Sequence, residues 1–265
     1  LTEAVKAEEY TPLEAAVVYV ARELKKYDGR SVITGIGLPV VASLLAKRLY
    51  APKLKINIES GSFDIQLPEI PISLFGPRIS YKCSAQLNNL HSLAGTARGD
   101  YDIGFIGGAQ VDKYGNVNST VIGDYLGGHK RLAGSGGAVD IGCFTNTIII
   151  MPHRKERIVN FVDYITTPGW KCRKPFSDEI VDRQELGLPG GPIMIVTNLC
   201  IMRFDKESKE AYVDTIFPGV SKETIISNTG FDIDLSRART GEPIQKIEIE
   251  TLRKEVDPLN IYRLR

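Results

Sequence analysis

The sequence is poor in the residues that build metal sites and disulfide frameworks. Its 265 residues include four cysteines, Cys83, Cys143, Cys172 and Cys200, widely spaced and without a Cys-x-x-Cys pair. That spacing argues against a zinc knuckle or a small disulfide scaffold and reads as reduced thiols of a cytoplasmic protein. The three histidines, His91, His129 and His153, are equally scattered. With no His-x-His or His-Glu-x-x-His motif, no metal site is expected. Charge of one sign is also lacking, since 33 Lys+Arg against 32 Asp+Glu leave +1. This balance excludes a generally basic nucleic-acid binder and an acidic tail protein. No apolar run approaches the roughly 18 residues of a membrane span, and residues 1–10 are polar, unlike a secretory signal. Fixed-period repeats and low-complexity linkers are absent too.

What is present is the composition of a globular protein, 43% hydrophobic and 25% charged. A chain of this length buries roughly three quarters of the surface it exposes when unfolded, so its core needs no staples. Thr11, Pro12 and Glu14 spell a helix start with a capping box, and Leu13, Ala16, Val17, Val20, Ala21 and Leu24 follow the helical stripe. Residues 31–36 form a short β-branched strand running into Gly35 and Gly37. A second helix opens at Pro39, with Val41, Leu44, Leu45 and Leu49 inward and Lys47 and Arg48 outward. Leu54, Ile56 and Ile58 alternate with Lys55, Asn57 and Glu59, the period of a strand. Helix, strand, helix, strand predicts a right-handed βαβ crossover with parallel strands. Further strands are expected at 102–106, 145–151, 192–198, 201–204 and 210–217, and helices at 221–227 and 243–255. Glycine turns and a polar hairpin at 205–208 separate several of these elements. The whole reads as one α/β domain, 1–265, with an open, mainly parallel sheet, flanking helices and β-hairpin decorations.

Glu59 is the most informative residue for chemistry. It stands at the C-terminal end of its strand, where ligands bind in open α/β sheets, and Ser60 and Gly61 turn the chain directly after it. Position alone leaves two readings, a solvated strand-end carboxylate or a reactive one. Gly35 and Gly37, Gly107 and Gly108 with Ala109, and Gly134, Gly136 and Gly137 lie near predicted strand ends. Such loops either make tight turns or bring backbone N–H groups up to an anion. None is a Gly-x-Gly-x-x-Gly fingerprint or a P-loop, and Ser135 is not in a nucleophile elbow. Lys171, Arg173 and Lys174 form a basic cluster that reads as a solvated loop or a seat for an anionic ligand.

Several blocks, in order, resemble the β subunits of class I CoA-transferases, of the glutaconate CoA-transferase kind. They are Gly35-Ile36-Gly37-Leu38-Pro39, Glu59-Ser60-Gly61, Phe105-Ile106-Gly107-Gly108-Ala109-Gln110-Val111-Asp112 and Tyr114-Gly115-Asn116-Val117-Asn118-Ser119-Thr120. Ile122-Gly123-Asp124-Tyr125, Gly134-Ser135-Gly136-Gly137-Ala138, residues 163–170 and Asn228-Thr229-Gly230-Phe231-Asp232 continue the match. The resemblance covers about residues 10–258. It implies the open α/β CoA-transferase fold shared with sugar-phosphate isomerases and an α-type partner subunit, the heterodimer assembling further. It also implies CoA as a substrate, with no tightly bound cofactor. Glu59 stands where the family's glutamate attacks the acyl-CoA thioester, so the implied reaction moves CoA from an acyl-CoA to a carboxylic acid, such as a dicarboxylate, through a glutamyl-CoA thioester. The glycine loops are the candidates for oxyanion and CoA contacts. Residues 126–131 and 171–185 depart from the family pattern and bear on substrate identity. Related subunits include hydrolases and decarboxylases that act on CoA thioesters. A non-catalytic acyl-CoA-binding subunit is the reading from a different class.

Overall fold

A computed structural model describes residues 3–67, 70–127, 129–174, 177 and 179–264, and of His129 the backbone alone. Gly128 of the departure at 126–131, and Pro175, Phe176 and Asp178 of that at 171–185, lie outside the described residues. Two compact units emerge, one running to Gly104 and resuming at Gly241, the other spanning Phe105–Thr240.

In the first unit, helix Pro12–Glu23 starts as its sequence dictates. The Thr11 hydroxyl accepts from the Glu14 N–H at 3.2 Å, and the Glu14 carboxylate accepts from the Thr11 N–H at 2.9 Å. Strand Ser31–Thr34 pairs in parallel with Lys55–Ile58 on one side and with Ile103 and Gly104 on the other. Val32, Ile33, Ile56 and Ile58 are fully buried, as expected of parallel strands covered on both faces. Helix Leu38–Leu49 makes the crossover and packs on Pro12–Glu23. The short strands Ser62–Phe63 and Ala85–Gln86 extend this sheet antiparallel. Helix Asn89–Arg98 is capped by the Asn88 side chain. At the C-terminal end, helix Lys246–Thr251 packs against both earlier helices and continues as a π turn, Leu252–Val256.

In the second unit, strands Asn146–Ile150 and Gly191–Val196 are parallel. Cys200–Phe204 and Ala211–Ile216 add antiparallel, and Arg239–Thr240 joins parallel to the last. A smaller sheet holds Ile158–Val159, Gln110–Asp112 and Val117–Asn118. Two hairpins, Val121–Gly123 with His129–Arg131 and Lys171–Arg173 with Ile180–Asp182, supply the expected decorations. Helix Ala138–Phe144 lies on strands Asn146–Ile150 and Gly191–Val196. The mixed α/β architecture is the one anticipated. Two local readings need correction. Lys47 is not a solvent-facing residue, because its ammonium donates to the Leu54 carbonyl at 2.8 Å and pairs with Asp64 at 3.0 Å. The basic segment at 171 is not a loop, because cross-strand pairing to Ile180–Asp182 makes it a strand.

Candidate active site

Glu59 follows strand Lys55–Ile58, and its position is set by the backbone on either side. Its N–H donates to the Thr34 carbonyl at 3.3 Å, and its carbonyl accepts from the Asn89 side-chain amide at 2.8 Å. The turn after it closes by a bond from the Gly61 N–H to the Ile58 carbonyl at 2.9 Å. Gly61 has φ +111°, and a Cβ there would run into the Leu87 carbonyl, so only glycine fits. Alternation predicted a polar strand face shared by Lys55, Asn57 and Glu59. That face is not solvated throughout: Asn57 is 2% exposed, and its amide donates to the Ser31 hydroxyl and to the Val32 and Lys55 carbonyls.

The Glu59 side chain is half-buried, and among the described residues its carboxylate has no hydrogen-bond donor and no cation beside it. Burial without compensation pushes its carboxyl above the ordinary carboxylate value. Gly35 faces it, where a Cβ would stand 3.7 Å from Oε1, so the glycine leaves space against the carboxylate. Gly37 caps helix Leu38–Leu49 at φ +95° and lies within hydrogen-bonding reach of Tyr262.

In the second unit, one segment holds both remaining glycine loops. The Ala109 N–H donates to the Asn118 carbonyl at 2.7 Å, and the Gly134 N–H donates to the Ser119 carbonyl at 2.9 Å. Those two amides are therefore engaged. Among the described residues, the N–H groups of Gly107, Gly108, Gly136 and Gly137 have no such partner. Gly108 packs against strand Val117–Asn118 so closely that a Cβ would meet Val117 and stand 2.8 Å from the Asn118 carbonyl oxygen. Asn118 holds this junction together. Its amide donates to Gln110 and to the Val121 carbonyl, and its side-chain oxygen accepts from the N–H groups of Thr120 and Val121. Ser119, beside it, keeps a buried hydroxyl with no partner among the described residues. Neither residue stood out in the sequence beyond its membership of a motif block.

The other candidates separate cleanly. His153 is 4% exposed between two threonine hydroxyls, with Nδ1 3.1 Å from Thr197 and Nε2 3.0 Å from Thr229. Burial takes it down to about 4, so it is neutral and structural. His91 contacts its own helix cap, Asn88. Cys200 is buried against His153 and pushed up to about 12 by desolvation, which leaves it an unreactive thiol. All four cysteines are free. Among the described residues no group of three or more His, Cys, Asp or Glu side chains could hold a metal ion, and no helix is long and apolar enough to cross a membrane.

Known proteins align with this arrangement over nearly its full length. The β-type subunit of glutaconate CoA-transferase from Acidaminococcus fermentans is 41% identical over 257 residues, covering 94% of this chain and 93% of that protein. The corresponding subunit of 3-oxoadipate CoA-transferase from Pseudomonas knackmussii is 34% identical, with 92% of each chain covered. The crystal structure of the Acidaminococcus fermentans glutaconate coenzyme A-transferase superposes with a TM-score of 0.87 at 38% identity, covering 96% of this chain and 97% of that one. The family model of Coenzyme A transferases matches residues 13–228. With a match of that extent and two relatives above 30% identity, the chain belongs to the Coenzyme A transferase family.

Proposed function

We infer that this chain is the β-type subunit of a heteromeric, cytoplasmic enzyme that moves CoA from an acyl-CoA to a carboxylic acid, and that Glu59 is its nucleophile. The observation that carries the assignment is the half-buried Glu59 carboxylate at a strand end, with no counter-ion and no donor among the described residues. A carboxylate in water is a weak nucleophile toward a thioester, and stripping its hydration makes it more basic and more reactive. The two relatives, each one subunit of a CoA-transferase, support a partner of α type and acids of the glutaconate or 3-oxoadipate kind as substrates.

A Glu59 oxygen attacks the acyl-CoA carbonyl, the carbon–sulfur bond breaks, and a mixed anhydride forms with release of the CoA thiolate. The thiolate then attacks the Glu59 side of the anhydride, which yields a glutamyl-CoA thioester and frees the first acid. The acceptor carboxylate attacks that thioester, and the CoA thiolate takes up the new acyl group, restoring Glu59. CoA is a substrate throughout, and the kinetics are ping-pong. In the first unit Gly35 leaves room beside the carboxylate. In the second, the amides of Gly107, Gly108, Gly136 and Gly137 are the donors proposed for contacts to CoA.

The assignment is tested by trapping. Acyl-CoA without acceptor, followed by borohydride, reduces a glutamyl thioester to an alcohol, and the peptide carrying Glu59 should change mass only after donor treatment. Glu59→Gln should fold normally and lose transfer by orders of magnitude. An unlabelled Glu59 together with wild-type transfer by Glu59→Gln would remove the covalent role.

A further inference from the structure

The basic cluster noted in the sequence lines a cleft of about 840 Å³ that lies wholly within the second unit. Pockets for small organic ligands span roughly 300–1,000 Å³, so the volume is that of a ligand site. One side is aromatic. Phe161 is 49% exposed and Tyr164 37% exposed, an uncommon amount of ring surface to leave in water. Tyr114 tilts against Phe161 with centroids 6.5 Å apart. Tyr164 stacks on Tyr125 at 5.4 Å, and the Arg131 guanidinium lies 4.2 Å from the Tyr125 ring centroid.

The other side is cationic by strand alternation. Cys172 points inward at 3% exposure, which leaves Lys171 and Arg173 together on the opposite face. Lys171 reaches over the Tyr114 ring, 5.8 Å from its centroid, and has no carboxylate partner among the described residues. Its neighbours differ: Lys174 shares Glu179 at 3.4 Å, and Lys113 is held by Glu210 at 2.7 Å. The two carboxylates that line the cleft, Asp112 and Asp163, already have donors. Asp112 accepts from the N–H groups of Tyr114 and Asn116 and from the Asn116 amide, all at 2.9–3.1 Å. Asp163 accepts from the Gln110 amide at 3.1 Å and the Gly123 N–H at 2.9 Å. Among the described residues, an ammonium without a carboxylate partner therefore stands beside flat apolar faces.

We propose that this cleft binds a purine nucleotide, with its phosphates on Lys171 and Arg173 and its base against Phe161 and Tyr164. Ammonium and guanidinium groups bind phosphate through charge-assisted hydrogen bonds, and aromatic rings bind a base by stacking. A small dicarboxylate would use the cations and leave the rings wet, whereas a nucleotide uses both. Two sources carry this chemistry: the nucleotide end of CoA itself, or a free nucleotide that regulates the enzyme. Only the first source rests on the transferase reading.

The test titrates the purified protein, with its partner subunit where one co-purifies, with adenosine 3′,5′-bisphosphate. Calorimetry gives the affinity, and the fluorescence of Trp170, the single tryptophan and the residue before Lys171, is followed in parallel. Saturable binding is expected, weakened at least tenfold by Lys171→Gln and by Phe161→Ser, with melting temperatures unchanged because both side chains are at least partly solvent-exposed. Lys53→Gln, an exposed charge in the first unit, should bind as wild type. Competition with acyl-CoA assigns the cleft to the nucleotide of CoA, and binding without competition assigns it to a free nucleotide. Absence of saturable binding, or binding indifferent to both cleft substitutions, overturns the proposal. The borohydride label on Glu59 is read separately, so loss of either result leaves the other standing.

Discussion

At the scale of single residues, the site depends on where side chains are missing as much as on where they are present. Gly108 and Gly136 both sit in proposed ligand loops, yet they answer to different physics. Gly108 is hemmed in by Val117 and by the Asn118 carbonyl oxygen, 2.8 Å from where a Cβ would stand. Gly136 has open space around it, but its φ of +49° is disfavoured for residues with a Cβ. Gly136→Ala should therefore lower stability by about 1–2 kcal/mol, the cost of a left-handed residue. Gly108→Ala adds an overpacking penalty of roughly 1–3 kcal/mol and displaces the strand that carries Asn118. Urea unfolding of the two variants should rank Gly108→Ala as the less stable, and the reverse order would mean the Val117–Asn118 strand yields freely. Glu14 shows how one side chain serves two ends. Its carboxylate closes the helix cap and, almost fully buried, also takes two bonds from Arg253 at 2.7 and 2.8 Å. The cap was legible because it is local, whereas Arg253 lies 239 positions away.

At the scale of elements, His153 joins three pieces of the second unit. The Thr229 hydroxyl donates to the Ile225 carbonyl at 2.8 Å, so it accepts from Nε2–H, and Nδ1 is the bare nitrogen facing Thr197. The neutral imidazole thus ties helix Lys222–Ser227 to the end of strand Gly191–Val196. Its native pKa of about 4 lies below the unfolded value of about 6.5. Between these values the unfolded chain binds more protons, so stability rises with pH across that window. The contribution is complete above pH ~6.5 and lost as pH falls towards 4, up to on the order of 3 kcal/mol. Asp112 acts in the opposite sense. Burial raises it to about 6, so the folded chain holds that proton more tightly and gains stability as pH falls through 6 towards its unfolded value near 3.8. Denaturation of wild type and His153→Asn at pH 8, 6 and 4 separates the two effects. The variant should be the less stable at pH 8, and the difference should shrink towards pH 4. A difference that is constant with pH would mean His153 is not held neutral.

The same scale explains an element that the sequence concealed. Helix Ala138–Phe144 follows a glycine loop and contains Gly142, which lowers helix propensity. Gly142 is needed there because a Cβ would collide with the Thr167 side chain. The helix end is held from outside by Arg183, 1% exposed, whose guanidinium donates to the carbonyls of Gly142 and Cys143 at 2.6 Å and of Pro168 at 2.7 Å. Arg183 looked like one more polar residue in an altered loop, because nothing nearby in sequence marks those acceptors.

At the scale of the molecule, the first unit leaves apolar surface uncovered. Ile72, Phe75 and Leu90 are 73%, 75% and 74% exposed. Ile72 and Phe75 share one short segment, and large apolar side chains exposed to this extent suit contact with a partner. If the chain is one half of a heteromer, the isolated chain should show no CoA transfer, and adding the α-type subunit should restore it. Phe75→Glu should weaken that association in a pull-down without lowering the melting temperature of the chain alone. Full transfer by the isolated chain would contradict the two-subunit assignment.

What was readable from residue order is what short-range physics encodes. The capping box of Thr11 and Glu14, the alternation through Ile56 and Ile58, and the turn at Ser60-Gly61 each depend on neighbours a few positions apart, and they placed Glu59 at a strand end. Whether that carboxylate would be hydrated or half-buried without a counter-ion was not encoded locally. It depended on which strands became neighbours and on the Asn89 amide holding the Glu59 carbonyl. Likewise, Lys171, Arg173 and Lys174 were visible as a basic cluster, but their seat beside Tyr114 and Phe161 arises only when Lys171–Arg173 pairs with Ile180–Asp182. Burial, desolvation and pairing are set by residues tens to hundreds of positions apart, and they come into being only as the chain packs.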